Sequence, residues 1–321
     1  MQLNTKIAHI YSRLGQRGAI FGMGVTDIAE KDDRFIVLTA DLATLSGLER
    51  YQRLYPQQFL NIGIAEQNML GIAAGLCAEG FHPIVTTYAT FLTMRACEQI
   101  RHYMGYMSLP IVAIGGGAGL CQGFAGNTHY TIEDISMMRA IPNLNIYSPA
   151  DAASAVGIFK MAVERQRPTY IRLTGNLNCP IVYNNDVDFE QGGSHLVYGN
   201  APKDIVIMAC GTMVNVGIKA AEILEQQGKE TTVVDMYSLK PADVERIKEC
   251  AGAKLLVSIE EHNRMGGLGA IIAEVLTTLP THARLLRLGI HDSFDVAGDY
   301  EGLLLQNRLT PDLIVEDILN V

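Results

Sequence analysis

The chain has 321 residues, of which 48% are hydrophobic and 18% are charged, and this balance excludes an intrinsically disordered protein. The formal net charge of −9 and the lack of any Lys/Arg run argue against a nucleic-acid-binding protein, which needs basic patches to displace counterions. The N-terminal stretch MQLNTKIAHIYSRL lacks the apolar core of a signal peptide, and no window reaches the ~18 uninterrupted apolar residues of a membrane span.

The cysteines indicate a reducing compartment. Six are present, with no CxxC pair and no histidines at zinc-site spacing: Cys77, Cys97, Cys121, Cys179, Cys210 and Cys250. We therefore expect small buried thiols and no metal site in this chain. Together with the lack of a signal peptide, this predicts a cytoplasmic protein that makes no membrane contact.

Short β-rich runs alternate with longer helical patterns in the first half of the chain. The predicted strands are FIVLTA (35–40), FLNIG (59–63), HPIVTT (82–87), PIVAIG (110–115), NLNIYS (143–148) and PTYIRL (168–173). Helical stretches such as EQNMLGIAAGLCAEG and ASAVGIFKMAVERQ lie between them. Apolar strands separated by helices of this length predict βαβ units, and therefore an α/β fold with a mostly parallel sheet covered on both faces.

The alternation lapses around residues 176–203, which are rich in Asn, Gly and Pro, and then resumes. Further strands are predicted at 204–210, 231–237, 253–260 and 283–289, with helices between them. The sequence therefore predicts two three-layer α/β/α domains with mostly parallel sheets, residues 1–180 and 204–321, joined by a linker at 181–203.

The stretch NIGIAEQNMLGIAAGLCAEG places a single carboxylate, Glu66, where a strand passes into a helix that is apolar almost all round. A helix of this kind is buried, and Gly71 and Gly75 would allow close backbone packing. One interpretation is an exposed acid favoured by the helix dipole. The apolar neighbours Ile64 and Met69 favour a buried carboxyl with few polar companions instead.

Two further motifs carry candidate functional side chains. Tyr88 and Phe91 in TYATF are three residues apart at a helix start, so that one helical face presents both rings; the alternative is two core aromatics. His129 in GNTH follows the glycine-rich strand exit GGGAG (115–119), where the backbone can approach a ligand closely. Histidine suits proton transfer near neutral pH, which makes it a candidate catalytic residue.

These motifs together resemble the transketolase family. GIAEQNMLGIAAGLCAEGFHPIVTTYATFLTMRACEQIRH looks like the pyrimidine-binding domain of transketolases and deoxyxylulose-phosphate synthases. The resemblance covers nearly the whole chain, through TADL (39–42), GNTH (126–129) and YIRL (170–173) to VVDMYSLKP (233–241) and IEEHNRMGGLG (259–269). It implies thiamine diphosphate and Mg²⁺ as cofactors and a transketolase C-terminal domain after the pyrimidine domain.

The resemblance also implies roles for individual residues. Glu66 would be the catalytic acid that shares a proton with N1′ of the cofactor's pyrimidine and so promotes its imino tautomer, a role that a raised pKa in an apolar pocket would support. Tyr88 and Phe91 would hold the aminopyrimidine by stacking. His129 would lie in the substrate channel. Arg95 would face the substrate, or equally be a surface or subunit-contact residue.

Several departures from the family pattern are visible. The chain has no GDG motif, which in full-length transketolases binds Mg²⁺ and the cofactor diphosphate, so that site is expected on a partner chain. Ala125 stands where the family has an aspartate that reads a sugar hydroxyl, and at Gly175 the chain has no second arginine for the sugar phosphate. The histidine expected near 115–117 is also missing. The charge recognition could come from the partner chain or from Arg17, in QRGAI, which aligns loosely with a phosphate-contacting arginine of the family.

The leading hypothesis is therefore a subunit of a split transketolase that transfers a two-carbon ketol unit from a ketose to an aldose. Such chains would associate with each other through their pyrimidine domains and with an N-terminal-type transketolase subunit, giving an αβ or α₂β₂ assembly. Two alternatives stay open. One is a β-type 2-oxoacid dehydrogenase subunit or a deoxyxylulose-phosphate-synthase-like acyl transferase, and the other is a non-catalytic regulatory subunit. The sequence does not identify the sugars.

Overall fold

Twelve β-strands form two sheets in residues 3–321, the part of the chain that a computed structural model describes. The first half contains β1 (Phe35–Thr39), β2 (Phe59–Asn61), β3 (His82–Tyr88), β4 (Val112–Gly116), β5 (Asn145–Tyr147) and β6 (Thr169–Leu173). The second half contains β7 (His195–Tyr198), β8 (Ile205–Ala209), β9 (Thr231–Asp235), β10 (Ser238–Lys240), β11 (Leu255–Asn263) and β12 (Arg284–Ile290). All the predicted strands are present; β7 and β10 are additions that the sequence pattern does not predict.

The first sheet has the strand order β10-β5-β6-β4-β3-β1-β2, and the second has the order β12-β11-β8-β9-β7. Neighbouring strands are parallel except at one edge of each sheet, where β10 pairs antiparallel with β5 and β7 pairs antiparallel with β9. The end of the predicted linker thus forms a strand of the second sheet. A short strand from the second half completes the first sheet.

Thirteen α-helices cover the two sheets in the described part of the chain. They are α1 (Thr5–Ala19), α2 (Val25–Ala29), α3 (Ala43–Ser46), α4 (Glu49–Leu54), α5 (Glu66–Ala78), α6 (Cys97–Gln99), α7 (Asp134–Arg139), α8 (Ala152–Arg165), α9 (Met213–Gln226), α10 (Val244–Cys250), α11 (Leu268–Leu276), α12 (Tyr300–Gln306) and α13 (Pro311–Leu319). Between residues 3 and 321 no helix combines the length and the apolar character needed to cross a bilayer.

Two apolar cores lie on opposite faces of the sheets. One contains α1 and α8 on the first sheet with α9 and α13 on the second. The other contains α5 and α7 on the first sheet with α10 and α11 on the second. Both domains are therefore three-layer α/β/α structures with mostly parallel sheets, which confirms the predicted fold class.

The segment predicted as a linker is packed against both halves. Asp151, which begins α8 with a capping box to Ser154, also accepts hydrogen bonds from the amides of Val182 and Tyr183 at 2.8 and 2.9 Å. The Tyr183 hydroxyl donates to Asp235 of β9 at 2.7 Å. The domain limits 1–180 and 204–321 remain a proposal, and residues 1–2 lie outside the described part of the chain.

A buried ion pair of the first domain also contacts the second domain. The Arg172 guanidinium on β6 donates to both oxygens of Asp134 on α7, at 2.8 and 3.1 Å, and both side chains are fully buried. Arg172 also donates to the Glu261 carbonyl on β11 at 3.1 Å. The Glu261 carboxylate in turn accepts from the Leu120 amide, in the loop after β4, at 2.5 Å. Charged side chains and backbone groups of both domains therefore form one hydrogen-bond network.

Two neighbouring buried groups on β11 titrate abnormally. Glu260 accepts from the amides of Leu268 and Gly269 at the start of α11, at 2.7 and 2.9 Å, yet burial raises its pKa to about 7. His262 accepts through Nε2 from the Ile135 amide of α7 at 3.1 Å, and burial lowers its pKa to about 4. His262 is thus held neutral, and its contact is between the domains.

Candidate functional site

The candidate residues lie together at the carboxyl edge of the first sheet. Glu66 begins α5 after the short loop that follows β2, Tyr88 is the last residue of β3, and His129 lies in the loop that follows β4. In open parallel sheets the carboxyl ends of the strands form the usual ligand crevice, because successive loops converge at that edge. The βαβ pattern of the sequence therefore brings together side chains that are far apart along the chain.

Glu66 is almost completely buried, with 1% of its surface exposed. It is the first residue of α5 and so lies at the positive end of the helix dipole. The sequence predicts few polar companions, but the structure supplies a cation. Nη1 of Arg95 donates to both carboxylate oxygens, at 2.9 and 2.8 Å. The buried charge is therefore compensated by a specific ion pair rather than left in an apolar pocket.

A π-helical turn at Phe91–Arg95 arranges the aromatic side of the site. Tyr88 is buried and Phe91 half-buried, and their ring centroids are 6.0 Å apart in an edge-to-face arrangement. The guanidinium carbon of Arg95 lies 4.3 Å from the Phe91 centroid. π-turns are frequent at functional sites, and this one places Arg95 over the Phe91 ring while it reaches Glu66.

His129 completes the aromatic cluster. Its ring is 5.4 Å from that of Phe91 and 6.1 Å from that of Tyr88, both edge-to-face. Nδ1 of His129 lies 2.9 Å from the Thr128 hydroxyl, which holds the ring orientation locally. The imidazole is half-buried and can therefore contact both the aromatic cluster and a ligand in the crevice.

Arg17 also lies close to Tyr88, with its guanidinium carbon 5.8 Å from the ring centroid. It can take this position because Gly116, at the end of β4, has no side chain. A Cβ atom built at Gly116 would come within 2.6 Å of Arg17 Cδ. Gly116, one of the glycines of the GGGAG stretch, therefore makes room for the Arg17 side chain.

The departure at Gly175 has a steric cause. Its φ of +84° is a left-handed conformation that side-chain-bearing residues rarely adopt, and a Cβ atom would approach Thr212 Cγ2 to 2.6 Å. An arginine is therefore disfavoured at this position by the backbone itself. Ala125 ends a short 3₁₀ turn, Gly123–Ala125, in the loop that leads to His129.

The structure brings all the predicted site residues into one cluster: Glu66, Arg95, Phe91, His129, Tyr88 and Arg17. The sequence reasoning misses the ion pair between Glu66 and Arg95, which are 29 residues apart. The only available signal is an arginine four residues after a predicted stacking aromatic. Within residues 3–321, no three His, Cys, Asp or Glu side chains converge as metal ligands.

Comparisons with known proteins cover both domains. The family described as "Transketolase, pyrimidine binding domain" matches residues 17–179, and "Transketolase, C-terminal domain" matches residues 196–312. The putative transketolase C-terminal section of Methanocaldococcus jannaschii is 33% identical over 302 residues, which cover 93% of this chain and 94% of that protein. The 6-deoxy-6-sulfo-D-fructose transketolase subunit of Clostridium sp. is 34% identical, with 90% and 89% covered.

A solved structure has a closely similar fold. It is described as a split gene transketolase in an inactive beta4 tetramer, and it superposes with a TM-score of 0.85 at 36% sequence identity. The superposition covers 95% of this chain and 97% of that one. The similarity therefore extends through both domains.

Proposed function

We propose that this chain, which belongs to the transketolase family, is the cofactor-activating subunit of a split, thiamine-diphosphate-dependent transketolase. The reaction would transfer a two-carbon ketol unit from a ketose donor to an aldose acceptor. The observation that carries the proposal is the buried Glu66 carboxylate beside the aromatic cluster of Tyr88, Phe91 and His129.

This cluster is chemically suited to an aminopyrimidine ring. A buried carboxyl is a hydrogen-bond partner for a ring nitrogen, and the half-buried Phe91 ring offers a face for stacking. When bound, thiamine diphosphate supplies the carbon nucleophile and the electron sink of the reaction. Glu66 would hold the proton shared with N1′, while Tyr88 and Phe91 would orient the ring.

His129 and Arg17 would act on the substrate side. His129 would transfer protons at substrate hydroxyls, with its ring oriented by Thr128 at 2.9 Å. No ion pair is found for Arg17 in residues 3–321, so its guanidinium is available for an anionic group of a sugar. The Clostridium relative, whose name specifies a sulfonated sugar, supports an anionic donor.

The diphosphate and Mg²⁺ would be held by an N-terminal-type transketolase subunit. Relatives of nearly the same length, described as a C-terminal section and as a transketolase subunit, support such a partner. Self-association is supported by α5, whose apolar sequence predicts burial on all sides. Ile64, just before this helix, is 75% exposed, and a Cβ at the exposed Gly75 would meet no atom within 4 Å.

The proposal is tested by replacing Glu66 in the complex reconstituted with the partner subunit, thiamine diphosphate and Mg²⁺. Glu66→Ala should fold normally and lose turnover on the order of 100-fold or more, because it removes the proton donor. Glu79→Ala, at the exposed C-terminal end of the same helix, is the matched control and should retain turnover. Near-normal turnover in the Glu66 variant would show that the assignment is wrong.

The same complex separates the other hypotheses. Ketol transfer from phosphorylated and sulfonated ketoses is compared with decarboxylation of 2-oxoacids, and the second activity alone would favour the acyl-transfer chemistry. Titration of the partner with this chain addresses the regulatory alternative. An activity that rises to a defined stoichiometry is expected for a catalytic subunit, and the mass of the complex then distinguishes αβ from α₂β₂.

A further inference from the structure

Arg95 contacts both groups that the proposed function assigns to the cofactor's pyrimidine. One guanidinium nitrogen donates to both oxygens of Glu66, at 2.9 and 2.8 Å. The same guanidinium lies over the face of the Phe91 ring, 4.3 Å from its centroid. The planar guanidinium thus donates to a carboxylate and stacks on an aromatic face at the same time. A bound heteroaromatic ring would be expected to make the same two contacts.

The two partners of this ion pair differ in their surroundings. Glu66 has a side-chain exposure of 1%, whereas Arg95 has 45%. An unpaired buried carboxylate is costly, so Glu66 depends on a partner in this site. The guanidinium, by contrast, regains hydration when it leaves. Arg95 can therefore leave Glu66 at little cost to itself, but another hydrogen-bond donor must then take its place beside the buried carboxylate.

The backbone around Arg95 allows such an exchange. The π-turn Phe91–Arg95 ends at Arg95, and Ala96 has φ −110° and ψ 23°, outside the helical region, before α6 begins. The contacts found for the Arg95 guanidinium in the described residues are those with Glu66 and Phe91. Rotation of this one side chain about its own bonds therefore frees both groups.

The Arg95 contact and the proposed cofactor contact use the same two oxygens of Glu66. In the ion pair both oxygens accept from Nη1 of Arg95, at 2.9 and 2.8 Å. In the proposed function one of these oxygens would share a proton with N1′ of the pyrimidine. The guanidinium and the pyrimidine therefore compete for Glu66.

We propose that Arg95 is a displaceable positioning residue. In the chain without cofactor it holds Glu66 and Phe91 in place, and it leaves both when the pyrimidine binds. This inference rests on the proposed function, because it assumes that Glu66 and Phe91 receive the cofactor. Its consequence is that Arg95 competes with the cofactor, so that removal of its side-chain charge tightens cofactor binding.

The test is calorimetric titration of thiamine diphosphate, with saturating Mg²⁺, into the complex of this chain with its partner subunit. Arg95→Met, which keeps an unbranched side chain without the charge, should lower Kd on the order of tenfold, since an ion pair and a cation–π contact are no longer lost on binding. Arg101→Met, an exposed arginine on the same segment, is the matched control and should leave Kd unchanged. A Kd that is unchanged or raised by Arg95→Met overturns the inference.

Two further measurements keep the result interpretable. If Arg95→Met does not fold, Arg95→Lys retains the charge but loses the planar contact with Phe91, and a smaller decrease in Kd is expected; an increase contradicts displacement. If the wild-type complex binds no thiamine diphosphate, the proposed function itself fails. Wild-type binding without the expected change in the variants refutes only the role of Arg95.

Discussion

Replacement of Asp134 by alanine should strongly destabilise the chain. Arg172 is fully buried and makes three hydrogen bonds, two to Asp134 and one to the Glu261 carbonyl. Burial alone would raise the pKa of Asp134, but the Arg172 guanidinium outweighs this effect and holds that pKa below its ordinary value. Loss of one partner of a buried pair leaves an uncompensated charge and costs about 3–5 kcal/mol.

The structure adds to this cost. The Tyr170 hydroxyl also donates to Asp134, at 2.8 Å, and would lose its acceptor, which adds about 1 kcal/mol. The total cost of about 4–6 kcal/mol is a large fraction of the free energy of unfolding of an ordinary domain, which is roughly 5–15 kcal/mol. Urea unfolding followed by far-UV circular dichroism would measure the change through the midpoint and slope.

A double variant is the matched control. Asp134→Leu combined with Arg172→Met replaces the pair by apolar side chains, and its unfolding free energy should lie within about 2 kcal/mol of the wild type, because the desolvation of both charges is avoided. A loss below about 1 kcal/mol for Asp134→Ala would refute the reasoning. It would mean that water or a local rearrangement solvates Arg172 in the folded chain.

Two other predictions concern pH and self-association. The pKa of Glu260 is about 7 in the folded chain against 4.5 ordinarily, so the folded state binds this proton more tightly and stability falls as pH rises from 4.5 to 7. The pKa of His262 is about 4 against 6.5, so the unfolded state binds this proton more tightly and stability rises between pH 4 and 6.5. The two slopes oppose each other, and His262→Gln removes the one that raises stability. Relative to the wild type, this variant should therefore lose up to roughly 3 kcal/mol of stability between pH 4.5 and 7 in urea unfolding. A profile parallel to that of the wild type would contradict the assignment. Gly75→Leu should improve helix propensity and yet shift the chain to smaller species in sedimentation velocity, because the new side chain fills the exposed face of α5. The control Gln227→Leu, at an exposed position of the second domain, should leave the distribution unchanged. An unchanged distribution for Gly75→Leu would exclude this face of α5 from the contact between copies of the chain.

Local patterns predict most of the fold. Apolar runs of five or so residues identify β1, β3, β4, β6, β8 and β9 to within about two residues of their observed limits, because fully buried parallel strands are continuous hydrophobic runs. The two missed strands are edge strands with weaker patterns. Residues 195–198 and 238–240 become strands only because β9 and β5 offer them a partner, which a local pattern cannot indicate.

The candidate site is likewise predicted in part by the sequence and in part only by the three-dimensional structure. The βαβ pattern and the family resemblance identify Glu66, Phe91 and His129, and parallel topology brings their loops to one edge. The ion pair with Arg95 depends on the wider π-turn, whose geometry differs from the α-helical spacing assumed for this stretch. The exposed face of α5 is a second difference, since the apolar pattern predicts burial on all sides whereas Gly75 on this helix is exposed.

The short strand β10 limits how this chain can be divided. It pairs with β5 and so closes one edge of the first sheet with residues that follow the second domain's β9. The Lys240 ammonium at its end donates to the carbonyls of Arg139 and Ile141, which ties it to the end of α7. Residues 1–180 expressed alone would present the unpaired backbone of β5 as a template for aggregation. A chimera that exchanges the C-terminal half with that of a relative must therefore also preserve the match between these two strands, so the halves are not interchangeable modules.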